Sequence, residues 1–179
     1  MESAAVAREQ VLLPDANLAL AVQSTLLAMR GQESAIDLLE RAACTQMKGT
    51  PEYRHLLTTS GIGKVLGLTI VLETGPVERF ARVGNYASYS RLVGSEHLSN
   101  GKRKGRGNTK SGNKYLAWAY LEAANFAVRY NPTIKRYYQR KKARTNALVA
   151  IKTVAHKLAR ACYHMLREGS DFDVARAFA

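Results

Sequence analysis

The sequence predicts a mainly α protein: a long N-terminal coiled-coil-like helix followed by a compact helical domain. The domain is expected to hold a helix-hairpin-helix-like element and a basic glycine-rich loop or small hairpin. Three observations carry this. Apolar residues recur at helical spacing over 18–47, 113–130 and 147–167. Glycine and proline punctuate the chain at 49–51, 61–63, 75–76 and 131–132. The stretch from Ser99 to Lys114 holds neither an acid nor a large apolar residue, so it cannot enter a core.

Residues 1–17 read as a polar leader ending near Pro14 and Asp15. From Leu18 to Met47 the pattern is helical, and Val22, Met29, Ile36 and Ala43 recur every seven residues, with Leu26, Leu39 and Met47 near the complementary seam. Gly31, Glu33 and Glu40 weaken that seam. The helix is therefore read either as pairing with a second helix or as packing on its own domain, within a linker spanning 18–48. Gly49-Thr50-Pro51 breaks the chain, and Pro51 suits the first position of a short helix.

Between Leu56 and Glu73, apolar residues flank a Gly61-Ile62-Gly63 turn followed by Lys64. In a helix-hairpin-helix, such glycine amides and the next helix N-terminus face a phosphate. A tight turn that needs glycine for close helix packing reads the same residues equally well. Gly75-Pro76 is the next turn, before a helical piece around Val77–Arg82 and a helix from Tyr86 to about Leu92 with Asn85 as its cap.

After the basic loop, a helix spans Asn113 to Tyr130, with Leu116, Tyr120 and Ala127 on one side and Trp118 as a core or near-core aromatic. Asn131-Pro132 separates it from a helix over Thr133–Arg144, dense in Lys135, Arg136, Arg140, Lys141, Lys142 and Arg144. The last helix, Ala147 to Arg167, is expected to turn Leu148, Ile151, Val154, Leu158, Cys162 and Met165 inward and to stop at Gly169. The compact domain is placed at 50–170 and a tail at 171–179.

The charge is unevenly spread. Residues 1–100 carry nine Lys/Arg against ten Asp/Glu, whereas residues 101–179 carry eighteen against four. That asymmetry points to a polyanion held by the second half. A membrane is the weaker partner, because no apolar run is long enough to span a bilayer and the N-terminus lacks a signal-peptide order. Cys44 and Cys162 fit idle thiols in a reducing cytoplasm. His55, His97, His156 and His164 lack ligand spacing, and the acids of the basic half are scattered, so no metal site is read.

Within the basic loop, Lys102, Arg103, Lys104, Arg106, Lys110 and Lys114 alternate with Gly, Ser and Asn, a composition that suits a phosphate backbone. Ser99 precedes Asn100-Gly101, where the backbone can turn sharply. On physics alone it is a hydrogen-bond donor to phosphate, and Ser95, Thr109 and Ser111 compete with it for any nucleophilic role. The cluster at 135–144, with Tyr137 and Tyr138 interleaved, reads as a charged nucleic-acid surface whose individual tyrosines cover the core.

Several ordered segments carry a family resemblance: T-S-G-I-G-K-V-L-G-L-T-I at 59–70, E-T-G-P-V-E-R-F at 73–80, Y-A-S-Y-S-R-L-V-G-S-E at 86–96, S-N-G-K-R-K-G-R-G-N-T-K-S-G-N-K-Y-L at 99–116 and E-A-A-N-F-A-V-R-Y-N-P at 122–132. Together they resemble the C-terminal domain of transposases of the insertion-sequence 110/116/902 family, over roughly residues 50–170. The resemblance implies a DNA recombinase guided by an element-encoded RNA, with Ser99 as the nucleophile. It implies nucleic-acid contacts by Lys102, Arg103, Lys110 and Lys114. It also implies an RNase-H-like domain whose acidic tetrad holds a divalent metal such as Mg.

This sequence shows no counterpart of that acidic domain, so the expectation is a truncated copy without a cofactor of its own. It would bind DNA, and pair with itself or with full-length transposase, in a bacterial cytoplasm at the nucleoid. The alternative is a non-catalytic helical nucleic-acid-binding or dominant-negative dimerising protein.

Overall fold

A computed structural model describes residues 15–94, 96–100, 102–106 and 111–178, and of residues 96–99 and 103–106 the backbone alone. The architecture is mainly helical. Helix α1 spans Ala16–Met47, about 48 Å at 1.5 Å per residue. Asp15 caps it, its Oδ1 accepting from Asn17 N at 2.8 Å and Leu18 N at 3.1 Å. Up to Ala43 this helix is a unit by itself. Of the apolar stripe read from the sequence, Met29, Ile36 and Leu39 are exposed, and Val22, Leu26, Ala43 and Met47 are partly so.

The second unit begins at Cys44. It comprises α2 (Pro51–Leu57), α3 (Lys64–Thr74), a single 3₁₀ turn (Val77–Arg79), α4 (Val83–Tyr89), β1 (Glu96–Ser99) and β2 (Lys102–Arg106). It then continues with α5 (Lys114–Tyr130), α6 (Pro132–Arg144), α7 (Ala147–Glu168) and α8 (Val174–Phe178). Asparagine side chains start the three long helices. Asn113 Oδ1 accepts from Tyr115 N and Leu116 N, Asn131 Oδ1 from Thr133 N and Ile134 N, and Asn146 Oδ1 from Val149 N. Gly169, at φ 61°, ends α7 in the left-handed conformation glycine allows.

Helix α7 is the hub, packing on α2, α4, α5, α6 and α8. Its buried stripe runs Ala150, Val154, Ala155, Leu158, Ala159, Cys162 and Met165, and meets Leu116, Tyr120, Ala123 and Ala127 of α5 in one core with Leu56, Ile70 and Tyr86. Tyr86 OH bonds Tyr120 OH at 2.6 Å and Thr74 Oγ1 at 2.9 Å, so these three buried hydroxyls satisfy one another.

Two aromatic and aliphatic assignments differ from expectation. Trp118 is 47 % exposed, because the buried stripe of α5 takes residues 116, 119, 120 and 123 and leaves 118 on the other side. Leu148 is 75 % exposed for the same reason, lying two positions from Ala150, where the buried stripe of α7 begins. The expected Tyr86–Leu92 helix starts earlier, at Val83, with extended Arg82 rather than Asn85 at its cap.

Beyond residue 170 the sequence predicts only a tail, yet α8 is docked. Asp171 accepts from or pairs with His55 Nδ1 at 2.7 Å, Phe172 N donates to Thr58 Oγ1 at 2.9 Å, and Phe178 is buried edge-on against Tyr137. The half-buried Tyr137 and Tyr138 thus cover the core, as the sequence suggests for each singly.

Burial pushes the Cys162 thiol up to about 12. The unfolded thiol ionises near 9.0, so the stability that Cys162 burial contributes is present below pH 9 and is lost as pH rises toward 12. At pH 8 a thiol reagent is expected to modify the half-buried Cys44 and spare Cys162 until the protein unfolds. Two equivalents consumed rapidly by the native protein would refute that.

Candidate nucleic-acid interface

The basic excursion between α4 and α5 has a firmly tied base. Asn113 N donates to Tyr89 O at 2.6 Å, and Arg91 Nε donates to Gly112 O at 2.9 Å, so the entering and leaving strands are bonded to each other. Gly112, at φ 93°, lies so close that a Cβ there would sit 2.5 Å from Tyr89 O. Asn113 Nδ2 also donates to Glu73 Oε2 at 2.5 Å and approaches Tyr89 OH at 3.4 Å. Arg79 completes the cluster, its guanidinium 4.5 Å from the Phe80 ring centroid and 4.7 Å from that of Tyr89. The Asn113 amide and Arg79 hold the Tyr89 phenol below its ordinary pKa.

Sequence reasoning missed Glu73, Arg79, Tyr89 and Asn113 as a set. The one legible signal is an asparagine directly before an apolar helical pattern, the mark of a cap. Asn113→Ala removes the α5 cap and the Glu73 partner together. It is expected to cost about 2 kcal/mol in a urea-unfolding experiment, whereas a loss under roughly 0.5 kcal/mol would show the cluster to be ornamental.

On this base stands an antiparallel hairpin. Glu96 pairs with Arg106, His97 with Gly105, Leu98 with Arg103 and Ser99 with Lys102. The pairing skips Lys104, a bulge that increases the local twist. Asn100, at φ 56°, takes the left-handed conformation that asparagine tolerates and a tight hairpin turn requires. The expected small hairpin is therefore present. Ser99 occupies the last position of β1, next to the turn and across from Lys102, and β2 carries four cations in its sequence Lys102–Arg106. Lys102 is exposed; Lys110 lies outside the described residues. Lys114 opens α5, exposed, with Nζ 4.9 Å from the Tyr115 ring centroid.

Helix α6 presents the second basic surface. Lys135, Arg136, Arg140, Lys142 and Arg144 are exposed and Lys141 is half-buried. Among the described residues, none of these six is ion-paired with an acid. Unneutralised cations on one short helix concentrate positive potential.

The α2–α3 turn holds the remaining candidates. Gly61, at φ 90°, packs directly on α5: a Cβ there would collide with Ala123 O and lie 2.7 Å from Ala127 N. Close helix packing thus accounts for Gly61. Gly63 and Lys64 are exposed at the start of α3, where Gly63 supplies no side-chain cap.

Residues 53–139 match the model of the IS116/IS110/IS902 transposase family. Over these residues the chain is similar to a transposase domain of that family. The matched stretch runs from α2 into α6 and takes in the Gly61 turn, the whole hairpin with Ser99, and Lys135 and Arg136. A Pseudomonas aeruginosa protein named probable family 20 transposase is 27 % identical to the chain over 97 residues, which is 54 % of this chain. The chain spans 29 % of that relative's length.

Among the described residues, no three His, Cys, Asp or Glu side chains converge as a metal site requires. No helix among them is long and apolar enough to cross a membrane.

Proposed function

We propose that the domain acts in DNA transposition, gripping a nucleic-acid backbone with the β1–β2 hairpin and α6 and supplying Ser99 as the nucleophile of strand exchange. The observation that supports it is the register: Ser99 ends β1 opposite Lys102, beside a turn and among the cations of β2, within the stretch that matches a transposase family. A phosphodiester laid along the hairpin would find its charge offset by Lys102, Arg103, Lys104 and Arg106. Ser99 Oγ, losing its proton, would form a bond to phosphorus as one bond from phosphorus to a sugar oxygen breaks. That sugar oxygen leaves and takes up a proton. One phosphoester bond is exchanged for another, so the phosphoserine intermediate retains the bond energy needed to rejoin a strand.

The acidic, metal-holding domain that the resemblance implies is needed beside Ser99 in this reading. An element-encoded guide RNA is a second ligand for the basic surfaces. The exposed stripe Leu18, Met29, Ile36 and Leu39 on α1 supports pairing of two copies, or of this chain with a full-length transposase. A second reading, binding without chemistry, shares the same surfaces and differs only at Ser99. Affinity for duplex DNA is expected to fall steeply as salt rises, and an affinity indifferent to salt would contradict both readings.

A further inference from the structure

The close seating of Gly61 on α5 has a geometric product. It brings the start of α3 beside two aromatic residues of α5, Phe126 and Tyr130, one helical turn apart. Both are exposed, at 43 % and 71 %. Their rings are parallel, 6° between planes with centroids 6.5 Å apart, so two flat faces are offered in a common orientation. Together with Ile62, Gly63, Lys64 and Leu66 they border an open groove of about 520 Å³ whose lining is almost wholly apolar. Asn131 Nδ2 donates to Ser60 Oγ at 2.9 Å and ties the α2–α3 turn to the far end of α5, which fixes the groove's width.

The rim is cationic. Lys64 is exposed at one side, and Arg129, also exposed, sits 6.0 Å from the Tyr130 ring centroid. No acid is among the lining residues. An apolar floor, parallel aromatic faces and flanking cations are complementary to a planar aromatic group that carries an anion. Bases inside a duplex hide their faces in the stack, whereas unpaired bases expose them to aromatic side chains. An apolar docking peptide would be matched by the floor but would leave Lys64 and Arg129 unanswered.

We propose that this groove is a stacking site for an unpaired nucleotide: the base lies on Phe126 and Tyr130, and its phosphate meets Lys64 and Arg129. The inference rests on the nucleic-acid reading above and adds a strand type and a further contact point, built on residues outside the hairpin and outside α6. It assigns Phe126, Arg129 and Tyr130 to binding.

The test uses the full chain with ten-nucleotide single strands of DNA and of RNA carrying one 2-aminopurine, and the corresponding DNA duplex. Phe126→Ala and Tyr130→Ala are each expected to weaken single-strand binding about ten- to a hundredfold and to abolish the stacking-dependent quenching of 2-aminopurine. Tyr130→Phe should retain both, and duplex affinity should change less than about twofold in all three variants. A larger loss on RNA than on DNA, or the reverse, assigns the strand.

Equal losses on duplex and single strand would overturn the inference, as would no loss at all. A fall in sedimenting mass with single-strand affinity intact would instead show that the groove holds a second copy of the chain. If the unaltered protein binds neither strand nor duplex, the nucleic-acid reading itself fails. If it binds both and the alanine variants bind alike, only the stacking site is lost.

Discussion

Gly61→Ala is expected to cost about 3 kcal/mol and to lower the thermal midpoint by about 10 °C. Two effects add. The backbone at φ 90° is one that side chains rarely adopt, and the new Cβ would overlap Ala123 O and crowd Ala127 N, which are backbone atoms that cannot swing aside. Either the α2–α3 turn lifts off α5 or α5 bends, and each uncouples Ile62 and Leu66 from the core. Gly63 is the control. A Cβ there meets nothing within 4 Å, so Gly63→Ala should cost less than about 1 kcal/mol. Equal midpoints for the two variants, read by calorimetry, would refute the packing role of Gly61.

Neutralising Lys102, Arg103 and Lys104 to glutamine is expected to weaken duplex DNA binding by on the order of a hundredfold near 0.1 M salt. The slope of log affinity against log salt should become shallower by about 2 to 3, since each phosphate contact releases close to one counterion. Stability should scarcely change, because these cations lie on a hairpin whose base is held by Asn113, Tyr89 and Arg91 rather than by the charges. The same exchange at Lys135, Arg136 and Arg140 tests α6 separately, and the two triple variants apportion the grip between the surfaces. An unchanged slope in the hairpin variant would remove the hairpin from the binding face.

Local chemistry made much of this fold legible. Asn131-Pro132 and Gly169 are strong punctuation, so the ends of α5, α6 and α7 follow from the sequence to within a residue or two. Asn100, before a glycine in the sequence, marked a sharp turn, and it takes the left-handed conformation there. What could not be read is which face meets which neighbour. Trp118 and Leu148 are apolar, yet they lie off buried stripes that mix large residues such as Leu116, Tyr120 and Leu158 with small ones such as Ala119 and Ala150. Gly61 offered two readings until its distance to Ala123 and Ala127 was known. The base of the hairpin joins Glu73 to Asn113, residues forty positions apart, and no local pattern announces such a bond. The docking of α8 likewise depends on His55 and Thr58 from another helix region.

The basic surfaces follow from composition, whereas the chemistry proposed for Ser99 depends on one hydroxyl. Its most direct measurement is covalent trapping. The protein is mixed with end-labelled element DNA, Mg and the acidic domain of an intact relative, then denatured and resolved by size. The account predicts a labelled protein–DNA adduct that disappears in Ser99→Ala and survives in Ser95→Ala and Ser111→Ala. An adduct that persists in Ser99→Ala, or the absence of any adduct with the unaltered protein, would contradict it.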